Sequence, residues 1–196
     1  MISRQTPIQG LIARLARRDR ISPAERIALE QALDAPVLHR AGEMILQSGA
    51  RPSSCRLLVS GLVARIKDFQ SGARSIAQLS VAGDFLDLHG LVMKQVDHGV
   101  LALTDCITAS LPHSLMADMI ETWPHLGRLF MLELAVDGAM HREWFHRLGR
   151  QDALGRMAHL LCELDARIAM GGLGNEDGFS LAMSQGDFAD CLGLSW

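Results

Sequence analysis

The alternation of apolar and polar positions divides this chain into a strand-rich middle between helical ends. Between residues 37 and 111, short apolar runs are separated by Gly, Pro, Ser and Asp at intervals of roughly ten residues, the punctuation of successive β-strands. The pattern predicts strands over residues 37–40, 44–47, 55–60, 62–68, 75–79, 100–104 and 107–111. Turns fall at Gly42, Gly49, Gly61 and Gly72, where glycine tolerates the positive φ of a tight hairpin. Strands at this density close into a sandwich or barrel. Ahead of them, Ile8, Leu11, Ile12 and Leu15 recur at helical spacing and predict a short amphipathic helix whose arginines face water. Ser22-Pro23-Ala24-Glu25 is a capping box with proline at the first helical position, starting a helix that runs to about Leu33. Ala35-Pro36 ends it, because the residue before proline is pushed out of helical geometry.

Residues 112–121 read as a short helix leading into a long one over 124–150, around which the chain is organised. Leu126, Leu129, Phe130, Met131, Leu132, Leu134, Ala135 and Val136 cover nearly its whole circumference, broken mainly by Arg128 and Glu133, so it needs burial on two sides. Leu129, Leu132, Val136 and Ala139, spaced 3, 4 and 3, form the seam one helix offers another and predict a dimer interface. The strand-rich segment supplies the second covering surface; a central helix in a monomeric core is the alternative. Gly149 marks where this helix gives way. Leu154, Met157, Leu161, Leu164 and Ile168 then predict a second long amphipathic helix over 151–170, stopped by Gly171-Gly172. A strand over 179–183 follows, and Ser184 with Asp187 caps a helix ending near Cys191.

Composition narrows the class. The 196 residues are 48% hydrophobic and 21% charged, with no apolar run near the roughly 18 residues of a membrane span, so no membrane partner is expected. The N-terminus lacks the apolar core of a secretory signal, which predicts a cytoplasmic location. Cys55, Cys106, Cys162 and Cys191 lie far apart, without the close pairs of zinc or iron–sulfur sites, so no metal centre is predicted from them. The net charge of −3 does not by itself signal a nucleic-acid surface.

The order of elements resembles the Crp/Fnr family of bacterial transcription regulators. The resemblance is carried by Gly42-Glu43 before a strand, Leu57-Leu58-Val59 then Gly61, and Ala82-Gly83-Asp84-Phe85. It is carried too by Gln185-Gly186-Asp187-Phe188-Ala189-Asp190-Cys191-Leu192-Gly193-Leu194-Ser195, similar to the first helix and turn of a helix-turn-helix. It implies an α+β fold: an antiparallel, jelly-roll-like β-roll, a dimerisation helix and a winged helix-turn-helix. The divisions are residues 1–123 for the N-terminal helices and sensor domain, 124–150 for the dimer helix and 151–196 for a partial DNA-binding domain. Phe188, Ala189 and Leu192 form the buried face of the motif, Gly193 permits its turn, and Gln185, Ala189, Gly193 and Ser195 are its candidate DNA-motif positions, Ser195 capping the helix that follows.

The same resemblance places an effector pocket at Gly83, Asp84, Asp87, Leu88, His89, His98 and Gly99. In cyclic-nucleotide-binding members a glutamate meets the ribose and an arginine meets the cyclic phosphate. Those positions fall at Leu88 and His98, neither of which supplies the charge-assisted bond. Cyclic AMP is therefore expected to bind poorly, and the effector and any cofactor are unspecified. Asp84, Asp87, His89, Asp97 and His98 crowd ionisable groups near this loop, which suits either another small effector or a metal, or plain solvation. The expected partners are a second copy of the chain, a small-molecule effector, and DNA for the intact parent protein. Base reading belongs to the second helix of the motif; with only Trp196 after Ser195, the chain is expected to be a truncated form that reads DNA sequence poorly. A sensor or adaptor without DNA work is the competing reading. A cupin-type enzyme is disfavoured, since residues 37–79 offer only His39 as an imidazole ligand.

Overall fold

A computed structural model describes residues 7–68, 74–171 and 178–194. The described residues form seven strands and seven helices, in the predicted order but for the short α3, which was not expected: α1 (Gln9–Ala16), α2 (Pro23–Ala32), β1 (Val37–His39), β2 (Met44–Leu46), β3 (Ser54–Ser60), β4 (Val63–Asp68), β5 (Arg74–Ser80), α3 (Gly90–Met93), β6 (Gly99–Ala102), β7 (Cys106–Pro112), α4 (His113–Thr122), α5 (Pro124–Arg150), α6 (Ala153–Met170) and α7 (Gln185–Leu192). The strands form two antiparallel sheets in the orders β1-β7-β3 and β2-β6-β4-β5. The closed roll of the sequence reading is thus two sheets, packed on a shared apolar layer of Leu46, Leu58, Val63, Leu86, Val96, Val100, Ala102 and Cys106. Gly61 carries the chain from one sheet to the other at φ +94°, where a Cβ would lie 2.5 Å from the Cys106 Cβ. No other residue type fits that corner without displacing β7.

A second apolar cluster closes the outer side of the β3–β7 sheet, where Leu57 and Leu111 meet Leu11 and Leu15 of α1, Leu29 of α2, Met116 of α4, and Leu126, Leu129 and Phe130 of α5. A third sets Ala64, Ile66, Ile76 and Leu79 of β4 and β5 against Trp144, against Leu160 and Leu164 of α6, and against Cys191 and Leu192 of α7. The Ser22 hydroxyl accepts from Glu25 N at 3.2 Å while the Glu25 carboxylate accepts from Ser22 N at 2.8 Å, completing the predicted capping box of α2.

Several expectations are corrected. Residues 179–183 form no strand; Phe179, Leu181 and Met183 pack as irregular chain against the third cluster. The α5 helix has the expected span, Pro124–Arg150. Its wall-to-wall burial holds only for its first turns, where Leu126, Gly127, Leu129 and Phe130 are buried; beyond them Trp144 alone is buried. Leu129, predicted on the dimer seam, is buried in the chain's own apolar cluster with Leu57, Leu111 and Met116. Leu132 and Val136 are half-buried and Ala139 is exposed. The stripe left open to solvent runs through Met131, at 69% exposure, Ala135 and Phe145, at 79%.

Candidate functional site

Where α5 passes the connection between β5 and α3, the side chains leave a cavity of about 70 Å³. Its walls are Arg65 and Ser80 from the strands, Asp84, Phe85, Leu88 and His89 from the connection, and Glu133, Leu134, Val136, Asp137 and Met140 from α5. Arg14 and Arg18 close one end, and Arg167 with Met170 of α6 closes another. The volume, about 70 Å³, lies well below the roughly 300–1,000 Å³ of ordinary ligand pockets and is too small for a nucleotide.

Buried charge defines this space. Gly83, at φ +94°, lets α1 approach so closely that a Cβ there would meet the Gly10 carbonyl carbon at 2.8 Å. That approach delivers Arg14 to the Asp84 carboxylate and, with its other nitrogen, to Glu133 on α5. Asp84 also accepts from Arg167 of α6, and from Val81 N at 2.8 Å. Burial alone raises the Asp84 carboxyl, but the Arg167 and Arg14 guanidiniums outweigh it and hold the group below the usual carboxylate range. Burial likewise drives Glu133 up, Arg14 only partly offsetting it with Asp84 nearby. Across the cavity Arg65 spans Gln78 at 2.8 Å, Asp137 at 2.7 Å and the Phe85 carbonyl at 3.0 Å. Arg167 continues to Glu163 at 2.9 Å, and Glu163 accepts from the Trp144 indole at 2.6 Å. One run of charge-assisted bonds therefore joins α1, the β5–α3 connection, α6 and α5.

Of the predicted effector residues, Asp84, Leu88 and His89 line the cavity. Gly83 is spent on the contact with α1, and Gly99 packs against Ile66. Asp87 turns away, accepting from Arg56 N at 2.6 Å and Arg56 Nη1 at 2.8 Å. His98 is buried behind His89, its ring 4.9 Å from the latter's. Arg14, Arg65, Glu133, Asp137 and Arg167 were missed. Arg14, read as facing water, is a correction: its side chain is 15% exposed because its partners lie across the cavity, on other elements. A signal existed, since Glu133 interrupts the apolar run of α5 and Arg167 sits one turn after Leu164 on the buried stripe of α6.

At the far end, α7 begins with a capping box between Ser184 and Asp187 and ends at Gly193 in the left-handed region at φ +60°. Gln185, Ala189 and Gly193 lie on this helix and its turn; Ser195 falls outside the described residues. Arg74 at the start of β5 pairs with Asp187 at 2.8 Å and Asp190 at 2.7 Å, fastening α7 to the β domain.

The family model of the cyclic nucleotide-binding domain matches residues 36–122, which hold all seven strands. The transcriptional activator protein FnrL of Cereibacter sphaeroides is 28% identical over 161 residues, covering 80% of this chain and 64% of that protein. Among solved structures, FixK2 from Bradyrhizobium japonicum superposes with a TM-score of 0.72 at 23% identity, over 82% of this chain and 78% of that one. The c-di-GMP responsive global regulator CLP of Xanthomonas campestris gives 0.69 at 14% identity, over 89% and 86%. Residues 36–122 thus match a cyclic nucleotide-binding domain, and the chain is similar to FnrL in sequence and to FixK2 and CLP in fold. The cavity lies between that domain and the long helix that follows it. FnrL is by name a transcriptional activator and CLP a global regulator, in keeping with the reading of a non-enzyme. No described helix is long and apolar enough to cross a membrane. The chain spans just under two thirds of the length of FnrL.

Proposed function

We propose that this chain is the sensing and dimer-forming part of a Crp/Fnr-type transcriptional regulator, with residues 1–123 as sensor, 124–150 as dimer helix and 151–196 as the start of a DNA-binding unit. A small effector enters the cavity, displaces part of the charged network, and so changes how α6 and α7 are held. The observation that carries this reading is the Asp84–Arg167 pair: a carboxylate in the cavity wall is bound directly by the helix that leads to α7. A ligand that competes for Asp84 therefore has a differential interaction with the two settings of α6, which is what coupling between sites requires. Cyclic AMP is a poor candidate, because Leu88 offers no acceptor to a ribose and the cavity guanidiniums are engaged by Asp84, Glu133 and Asp137. Two copies pair along α5 through the stripe of Met131, Ala135 and Phe145, next to Leu132 and Ala139 of the predicted seam. The activator named among its relatives points to DNA as the partner of the whole protein.

Native mass spectrometry of the purified chain tests the reading, reporting subunit number and any retained small molecule together. A dimer that becomes a monomer in Phe145→Asp, with no added mass from supplied cyclic AMP, is the expected result. A wild-type monomer, or tightly held cyclic nucleotide, overturns it.

A further inference from the structure

His89 precedes α3, and Asp97 and His98 precede β6; the loop between them folds back so that one donor atom from each lies within 4.8 Å of the other two. The His98 Nδ1 is 3.1 Å from Asp97 Oδ1, and the His89 Nε2 is 3.8 Å from the same oxygen. A tetrahedral centre with bonds of about 2.1 Å spaces its donors roughly 3.4 Å apart, between those two separations. The second nitrogen of His98 faces the Leu86 carbonyl at 3.4 Å, the backbone contact that fixes the ring of a metal-bound imidazole. The His89 Nε2 is buried and has no hydrogen-bond partner among the described residues.

We propose that His89, Asp97 and His98 form a binding site for a divalent transition metal ion of the zinc, cobalt and nickel kind. Two imidazoles and a carboxylate are borderline nitrogen and oxygen donors, which suit these ions better than magnesium or calcium. Other charged groups face the site from every side: Lys67 of β4 binds the Asp97 carbonyl and its Oδ2, Arg65 is neutralised by Asp137, and His141 of α5 lies beside Asp137. Lys67 holds Oδ2, leaving Oδ1 toward the imidazoles. His89 also borders the cavity, so an ion here stiffens one cavity wall. This site does not depend on the effector reading.

The test is calorimetric titration of the chelator-treated full chain with Zn²⁺ and Co²⁺ near neutral pH, with the visible absorption of bound Co²⁺ as a second signal. A single ion per chain is expected, Zn²⁺ displacing Co²⁺. His89→Gln and the exposed Asp97→Asn should each weaken binding about tenfold or more, while His141→Gln leaves it unchanged. Circular dichroism matching the wild type shows that both ligand variants fold. Absence of saturable binding, or binding that survives both His89→Gln and Asp97→Asn, overturns the assignment.

Discussion

Two buried regions meet along α5 and are held together by opposite physics. At its first turns Leu126, Leu129 and Phe130 join Leu11, Leu15, Leu57 and Leu111 in a core without charge, Phe130 meeting Phe85 edge-on with centroids 6.0 Å apart. One turn further on, Glu133 and Asp137 face Arg14, Arg65, Asp84 and Arg167 around the cavity. The apolar region is stabilised by area removed from water, a non-directional gain that each residue adds almost independently. The charged region stabilises only as a set, because each ion lost leaves its partner desolvated and unpaired. A cavity with such walls can be rearranged by a small ligand; a close-packed apolar core resists one.

The sharpest test of that contrast is Asp84→Ala. It takes one carboxylate from each of two largely buried guanidiniums and should cost about 3–5 kcal/mol in urea unfolding. The five-fold variant Arg14→Met, Asp84→Leu, Glu133→Leu, Glu163→Gln, Arg167→Met, which leaves no ion of the set without its partner, should recover most of that loss, since apolar replacements of similar volume are often neutral or stabilising. Stability of the five-fold variant as low as that of Asp84→Ala would erase the distinction. Truncating the fully buried Leu57 to Ala should cost about 2–5 kcal/mol, and no charge change elsewhere should restore it.

Acid unfolding sharpens the comparison inside the charged region. Asp84 is held below the ordinary 3.8, so its contribution is complete above that value and is lost as pH falls through the lower, folded-state value. Asp87, three residues on, has a single guanidinium partner. Burial there outweighs the Arg56 amide and side chain, and its carboxyl is raised above 3.8. Its charge therefore costs stability at neutral pH, a cost relieved as pH falls through the raised value. Measured stability against pH should lose less below about pH 4 in Asp84→Asn than in the wild type. In Asp87→Asn the decline should be steeper above that point. The smallest effect expected is Ser22→Ala, which removes the side-chain cap of α2 and should cost about 1 kcal/mol by thermal or urea unfolding.

Much of this fold was legible from residue order. The seven strands, the capping box at Ser22, the span of α5 and the left-handed Gly193 follow from local rules of periodicity, capping and turn geometry. The site was legible only in part. Asp84, Leu88 and His89 stand where the motif put them, but the arginines that define the cavity lie on helices and a strand far away in sequence. Arg14 looked like a solvated position of an amphipathic helix, and nothing local tells Arg14 or Arg167 that its carboxylate partner lies 70 or 83 residues away.

Sequence alone determined which segments became strands and which became helices, because hydrogen bonding, side-chain periodicity and backbone permission act over a few residues. Tertiary structure decided which side of α5 stayed open, why Leu129 turned inward while Met131 and Phe145 did not, and which of the buried charges found each other. Those outcomes depend on how whole elements are rotated and stacked, and the pairing of charges buried there is fixed by the same docking that takes them out of water.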